Sequence, residues 1–245
     1  MSGELHNLDR TALINLFFDS IHLTIMHYGL WFRETERQVG LEKAAEIDNI
    51  AWEKILHTFT KRITSRLGIP IKDDPAELLE GLSREKIIKL LEDMAKNWLA
   101  CDGIWFQAVE QNFDYGMNTA KRINDTCLTR FSYLEARTIM KRLNLPENGG
   151  IPVLKEALKH RLYGLMNVQE IIDPGNNKLS LRMRDCRVQS ARNRKGLPDY
   201  PCKSAGIVEY TSFAAAVDPQ IKVTCVGCPP DPHPEEWWCA WDFEV

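Results

Sequence analysis

Residues 168–185 read VQEIIDPGNNKLSLRMRD, and this stretch decides the fold class. Two runs of β-forming residues, Val168–Asp173 and Lys178–Asp185, flank the turn sequence Pro-Gly-Asn-Asn, which predicts a β-hairpin. In the second run apolar residues alternate with polar ones, so one side of the strand should be buried and the other exposed to solvent. Further β-type runs over residues 221–226 and 237–244 predict an antiparallel sheet of about four strands.

The chain before this hairpin predicts helices. Asn7 or Asp9 suits the N-cap of a helix over about residues 11–38 that closes near Gly40, and Ser83 suits another N-cap. Further helices are predicted over 44–67, 83–98, 115–145 and 152–165, and two short ones near 190–195 and 204–217. The sequence Cys101-Asp102-Gly103 predicts a break in the helical pattern. The expected fold is therefore α+β, with a helical region over 1–100 packed with a metal-stapled α/β domain over 101–245.

Composition excludes several classes of protein. The chain has 245 residues, 44% hydrophobic and 27% charged, with a net charge of −3, as an ordinary globular protein has. This charge gives no reason to expect nucleic acid or an anionic membrane as a partner. The first residues lack the pattern of a secretory signal. The stretch Ala12–Phe32 is long enough to span a bilayer but contains Asn15, Asp19, His22 and His27, so we expect a buried helix in a cytoplasmic protein.

Four cysteines near the C-terminal end have the spacing of a metal site. They form the pattern C-x22-C-x2-C-x10-C and are Cys202, Cys225, Cys228 and Cys239. Four thiolates can surround one zinc ion at about 2.3 Å, which predicts a zinc site, with iron as the alternative metal. Four sulfur ligands leave no position for water, so the site should be structural. Buried core thiols and a redox C-x2-C remain the competing interpretations.

The C-terminal part of the chain resembles a known group of proteins. The resemblance is carried by Gly206, Glu209, Tyr210, Cys225, Cys228 and the ending Cys239-x-Trp241-x-Phe243. It resembles the ending shared by 4-vinyl reductase domains and L-2-amino-thiazoline-4-carboxylic acid hydrolase-like proteins, mainly over residues 115–245. The resemblance implies helices packed on an antiparallel sheet, a ligand pocket between them, and zinc on Cys202, Cys225, Cys228 and Cys239. The chain departs from the aromatic-sensing regulators of this group by having Cys225 where they have Glu. Since no counterpart of their ATPase and DNA-binding regions is recognised in these residues, their role as transcription factors is not expected here.

Other residues are weaker candidates for function. His27, Trp31 and Glu110 are candidate pocket residues, although ordinary core packing explains them as well. Arg184 belongs to a cation-rich segment and could bind a carboxylate, or it could be a solvated surface residue. Cys186 lies among the same cations and is a weak candidate for a catalytic nucleophile, because no histidine is near it in sequence.

The sequence thus favours a cytoplasmic, zinc-binding, small-molecule-binding domain of the sensor or carrier type. Its expected ligand is a hydrophobic or aromatic acid. The sequence leaves the oligomeric state undecided, with a homodimer as one alternative. The alternative is a hydrolase that acts on a small cyclic amide-like or thiazoline carboxylate. A pocket that serves a protein partner or a lipid is a third hypothesis, by analogy of fold alone.

Overall fold

The computed structural model describes residues 5–69, 74–112, 115–175, 177–194, 196 and 198–245. The chain divides into two compact units, Met1–Glu77 and Leu78–Val245. The boundary expected near residue 100 falls inside the helix Arg84–Gln107.

The N-terminal unit is a pair of helices, α1 (Arg10–Val39) and α2 (Leu41–Leu67). The Asp9 carboxylate accepts a hydrogen bond from the backbone N–H of Ala12 at 2.8 Å, so the predicted N-cap is confirmed. Gly40, at a φ of +84°, joins the helices, and Gly68 ends α2 in the left-handed conformation at +69°. A one-turn helix, α3 (Glu77–Glu80), follows at the division between the units.

The prediction that Ala12–Phe32 is a buried helix is wrong. In the described part of the hairpin α1 has no buried residue, and α2 buries Ala44, Ala45 and Thr64. Two helices side by side can cover one face of each other, so the apolar side chains on their remaining faces stay exposed, Phe18 and Trp31 among them.

The C-terminal unit begins with two long helices. Ser83 caps α4 (Arg84–Gln107) through a hydrogen bond to the N–H of Lys86, and a π-helical segment, Ala108–Asn112, follows. The helix α5 (Gly116–Leu143) comes next. The break predicted at residues 101–103 is wrong, because one glycine costs a helix only about 1 kcal/mol. Packing offsets that cost, since Trp98 of α4 stacks on Phe131 of α5 with ring centroids 5.1 Å apart.

The remaining elements form a four-stranded antiparallel sheet with helices beside it. In chain order they are α6 (Gly150–Leu158), β1 (Val168–Gly175), β2 (Lys178–Asp185), α7 (Arg187–Asn193), α8 (Lys203–Val217), β3 (Lys222–Gly227) and β4 (Cys239–Glu244). The strand order is β1-β2-β4-β3. The predicted hairpin, the antiparallel sheet and the helical first half of the chain are therefore confirmed.

The core of this unit lies between the sheet and the helices α5, α6 and α8. The register pairs Leu179 with Phe243 and Leu181 with Trp241, and all four side chains are buried. Gly206 lets α8 approach the sheet closely, since a Cβ there would lie 2.4 Å from Cζ2 of Trp241. The start of α8 is thereby held against β4.

Candidate metal and ligand sites

Different elements deliver the four cysteines of the predicted metal site. Cys202 is the N-cap of α8, Cys225 lies in β3, Cys228 follows β3, and Cys239 begins β4. The strands β3 and β4 are neighbours in the sheet, which brings the last three cysteines to one region. The backbone N–H of Lys203 donates to the carbonyl oxygen of Pro229 at 2.9 Å and ties the start of α8 to the loop that holds Cys228.

Cys228 contacts one thiol and lies near a second. Its Sγ lies 3.4 Å from Sγ of Cys202, and after Cys202 the thiol of Cys239 is also near enough to raise its pKa. The amide of Gln189 donates to Sγ of Cys202 at 3.4 Å. The hydrogen bond with Cys228 lowers the pKa of Cys202, and the same bond raises the pKa of Cys228. Either thiol can be the donor in this bond.

The thiols fit part of a zinc site. Sulfur ligands of tetrahedral zinc stand roughly 3.8 Å apart, given Zn–S distances of about 2.3 Å. The Cys202–Cys228 pair is close to that spacing. Cys225 is near enough for Cys202 and Cys239 to raise its pKa, after the larger effect of burial, without a hydrogen bond to either. Across the described ranges, no group of three or more Cys, His, Asp or Glu is arranged to hold a metal ion.

A buried ionic network lies deeper in the same unit. Arg161, 1% exposed, donates through Nε to Oε2 of Glu135 at 2.8 Å, and its Nη1 lies 2.7 Å from Oε1 of Glu209. The second oxygen of Glu135 accepts from the backbone N–H of Leu162 at 2.8 Å. The contact between Nη1 of Arg161 and Oε1 of Glu209 lacks the alignment of a hydrogen bond, so these two groups form an ion pair. The guanidinium also faces the ring of Phe213, 4.7 Å from its centroid.

Burial and charge act in opposite directions on this network. Burial lowers the pKa of Arg161, but the two glutamates outweigh it and hold that pKa above its ordinary value. Burial raises the pKa of Glu209 in spite of Arg161. Sequence reasoning missed Arg161 and Glu135, and it noticed Glu209 only through a resemblance. One signal was present, because Glu135 lies at helical spacing in the buried stripe of α5 with Leu128, Ser132 and Ile139.

A cleft of about 210 Å³ opens between α4 with its π-helical extension and α5. Its described lining residues are Asp102, Trp105, Phe106, Val109, Ala120, Ile123, Asn124 and Cys127. Burial raises the pKa of Asp102. Phe106 also contacts Tyr200 edge-on, with ring centroids 5.6 Å apart. The cleft is therefore an apolar, aromatic-walled space with one carboxyl group.

The predicted pocket residues lie in different places. His27 and Trp31 belong to the N-terminal unit, where Trp31 lines a cavity of about 240 Å³ together with Tyr28 and Asp48. Glu110 lies in the π-helical segment and is not among the described residues that line the cleft. Arg184 is on β2 and pairs with Glu170 of β1 at 3.0 Å.

Cys186, the candidate nucleophile, is the N-cap of α7. Burial raises the pKa of Cys186 to about 12, which keeps the group a thiol at neutral pH. Of the histidines in this unit, His160 contacts Glu156 and His233 contacts Asp199. In the described part of the unit, neither histidine forms a hydrogen bond or an ion pair with this thiol.

The comparisons with known proteins identify the family of the chain, and the function of that family is unknown. The family model described as a family of unknown function, DUF6125, matches residues 6–81 and 80–245. The chain belongs to the DUF6125 family. No curated protein matches the chain, and no solved structure does.

The two DUF6125 segments meet at residues 80–81, three residues beyond the division between the compact units at Glu77 and Leu78. The family match therefore spans both units. Within the described ranges, no helix combines the length and the apolarity that crossing a membrane requires.

Proposed function

We propose that the unit Leu78–Val245 is a zinc-stapled domain that binds a small molecule, as a sensor or a carrier does. The observation that carries the metal part is the 3.4 Å contact of Cys228 with Cys202, beside which Cys239 lies near enough to affect the pKa of Cys228. These three thiols come from the start of α8, the loop after β3 and the start of β4, so one ion would cross-link helix and sheet. Cys225 would complete the tetrahedron by a small movement of β3, which has a register irregularity between Cys225 and Gly227.

The role of the metal is structural in this proposal. Four thiolates would leave no open position for water or substrate, so zinc would contribute to folding rather than to catalysis. Iron would bind the same sulfur set. Seven free cysteines agree with a reducing compartment, and the proposal therefore includes a cytoplasmic location.

The ligand part rests on the cleft between α4 and α5. Its lining is mostly apolar and aromatic with a few polar groups, as small-molecule sites usually are. The volume of about 210 Å³ is below that of drug-sized pockets and suits a ligand with one ring. The hydrolase alternative gains no support from Cys186. Its buried thiol has no hydrogen bond to a histidine among the described residues, and its raised pKa is the opposite of what nucleophilic cysteines need.

The metal part is tested by comparing Cys228→Ser with Cys101→Ser, which removes an exposed cysteine on α4. Both proteins are prepared with zinc in the medium, and their zinc content and melting temperature are measured. We expect Cys228→Ser to lose zinc and melt at a lower temperature, because a ligand is missing, and Cys101→Ser to match the wild type. Equal stability and equal metal content in the two variants would overturn the metal part.

A further inference from the structure

The interior of the C-terminal unit beside the cleft contains more acids than bases. The carboxyl groups of Glu135 and Glu209 share one guanidinium, that of Arg161. Asp102 is a third acid: burial mainly raises the pKa values of Glu209 and Tyr163, and the nearby Asp102 adds to this effect. Glu135 and Glu209 thus pair with Arg161, whereas Asp102 has no cationic partner among the described residues.

Asp102 is the group of this set that a ligand can reach, because it lines the cleft. No hydrogen bond or ion pair to its carboxyl group is formed by the residues that the structure describes. Burial raises the pKa of its carboxyl group. An unpaired carboxylate beside apolar walls favours a partner of positive charge.

The walls of the cleft suit the same kind of ligand. Trp105 and Phe106 present aromatic rings, and such rings attract cations as well as flat apolar groups. The described lining residues include no Lys, Arg or His. Two cations of α5 have other partners, since Lys121 donates to the carbonyl oxygen of Pro201 at 2.6 Å and Arg130 donates to that of Thr126 at 3.3 Å.

We infer that the cleft binds a small aromatic amine whose ammonium group pairs with Asp102 and whose ring lies against Trp105 and Phe106. This inference rests on the ligand part of the proposed function and specifies its chemistry. It replaces the aromatic acid expected from the sequence, because the guanidinium of Arg184 pairs with Glu170 and does not line this cleft.

The test uses three probes of similar shape and different charge: phenethylamine, 2-phenylethanol and 3-phenylpropionate. Their affinities for the full chain are measured by calorimetry at neutral pH and low salt. We expect the amine to bind about ten- to a hundredfold more tightly than the alcohol, as a charge-assisted hydrogen bond implies. The propionate should bind more weakly than the alcohol, because its charge repels Asp102.

Two variants show whether Asp102 causes the preference. Asp102→Asn keeps the shape of the side chain, and it should lower the affinity for the amine to that for the alcohol. Asp93→Asn is the control, because Asp93 is an exposed acid on the same helix that pairs with Lys96 at 3.1 Å. It should leave the affinities for all three probes unchanged.

Different results would contradict the amine inference alone or the ligand part of the proposed function as well. An amine affinity that survives Asp102→Asn, or tighter binding of the propionate, would overturn the inference and leave a ligand site in the cleft. Failure of all three probes to bind would overturn both the inference and the ligand part of the proposed function. The zinc content of the protein decides the metal part separately.

Discussion

Removing the cation of the buried network by Arg161→Met is expected to destabilise the C-terminal unit strongly. Methionine keeps much of the apolar contact with Phe213, but it leaves the carboxyl groups of Glu135 and Glu209 without a cation. Their side chains are 6% and 8% exposed, so water cannot replace the guanidinium. Removing one partner of a buried ion pair typically costs about 3–5 kcal/mol.

The cost of protonating one of the two glutamates gives a loss of stability of similar size. The variant can relieve the repulsion by protonating one glutamate, which costs about 3.7 kcal/mol at pH 7 if its ordinary pKa is about 4.3. The same step costs about 1 kcal/mol at pH 5. The folded variant holds the proton more tightly than the unfolded chain, so its stability falls as the pH rises above the ordinary carboxyl pKa. The deficit should therefore grow from pH 5 to pH 7.

Urea unfolding of the wild type and of Arg161→Met, followed by circular dichroism at both pH values, measures this deficit. Lys178→Met is the control, because Lys178 forms an exposed pair with Glu244 at 3.2 Å and exposed pairs contribute little. A deficit below about 1 kcal/mol at pH 7, or one that does not depend on pH, would refute the view that the network is a charged, buried unit.

Three further changes test other parts of the structure. Gly206→Ala should lower stability by about 1–3 kcal/mol, because the new methyl group would meet the Trp241 ring at 2.4 Å; thermal unfolding measures it. The raised pKa of Glu209 predicts that wild-type stability declines as the pH rises above about 4.3, and Glu209→Gln should flatten that decline in urea titrations. Cys186, whose pKa burial raises to about 12, should react slowly with iodoacetamide at neutral pH, as mass spectrometry can follow.

Matched controls accompany these experiments. Gly103→Ala should be neutral or stabilising, because nothing lies within 4 Å of a Cβ at that position in α4. Equal effects of the two glycine variants would contradict the close approach of α8 to the sheet. Cys101 is exposed and should be alkylated before Cys186. The reverse order would show that Cys186 is an activated thiol, and a pH profile unchanged in Glu209→Gln would remove Glu209 as its cause.

The sequence predicted the elements whose signals are local. Asp9 and Ser83 cap helices as expected, and the alternation over Lys178–Asp185 placed Leu179 and Leu181 on the buried side of the hairpin. Local signals failed at residues 101–103, where packing of Trp98 on Phe131 outweighs the cost of one glycine. They also failed for α1, because periodicity shows that a helix is apolar and does not show what covers it.

The candidate site was predictable only in part. The spacing of the cysteines identified a set of which Cys202 and Cys228 are in contact, and the metal site itself stays a prediction. Asp102 was noticed beside its aromatic neighbours, but whether an acid has a cationic partner depends on side chains from several elements, and among the described residues Asp102 has none. The partners of Arg161 are 26 and 48 residues away along the chain, and no local pattern joins groups so far apart.

The metal content of the purified wild-type chain tests the central claim most directly. Protein prepared without chelator is analysed for transition metals, and the reactivity of its thiols is measured with and without the metal. We predict one zinc ion per chain, with Cys202, Cys225, Cys228 and Cys239 protected from alkylation until zinc is removed. Protein that contains no stoichiometric metal, with all four thiols alkylated at the same rate before and after chelation, would contradict the zinc-stapled domain.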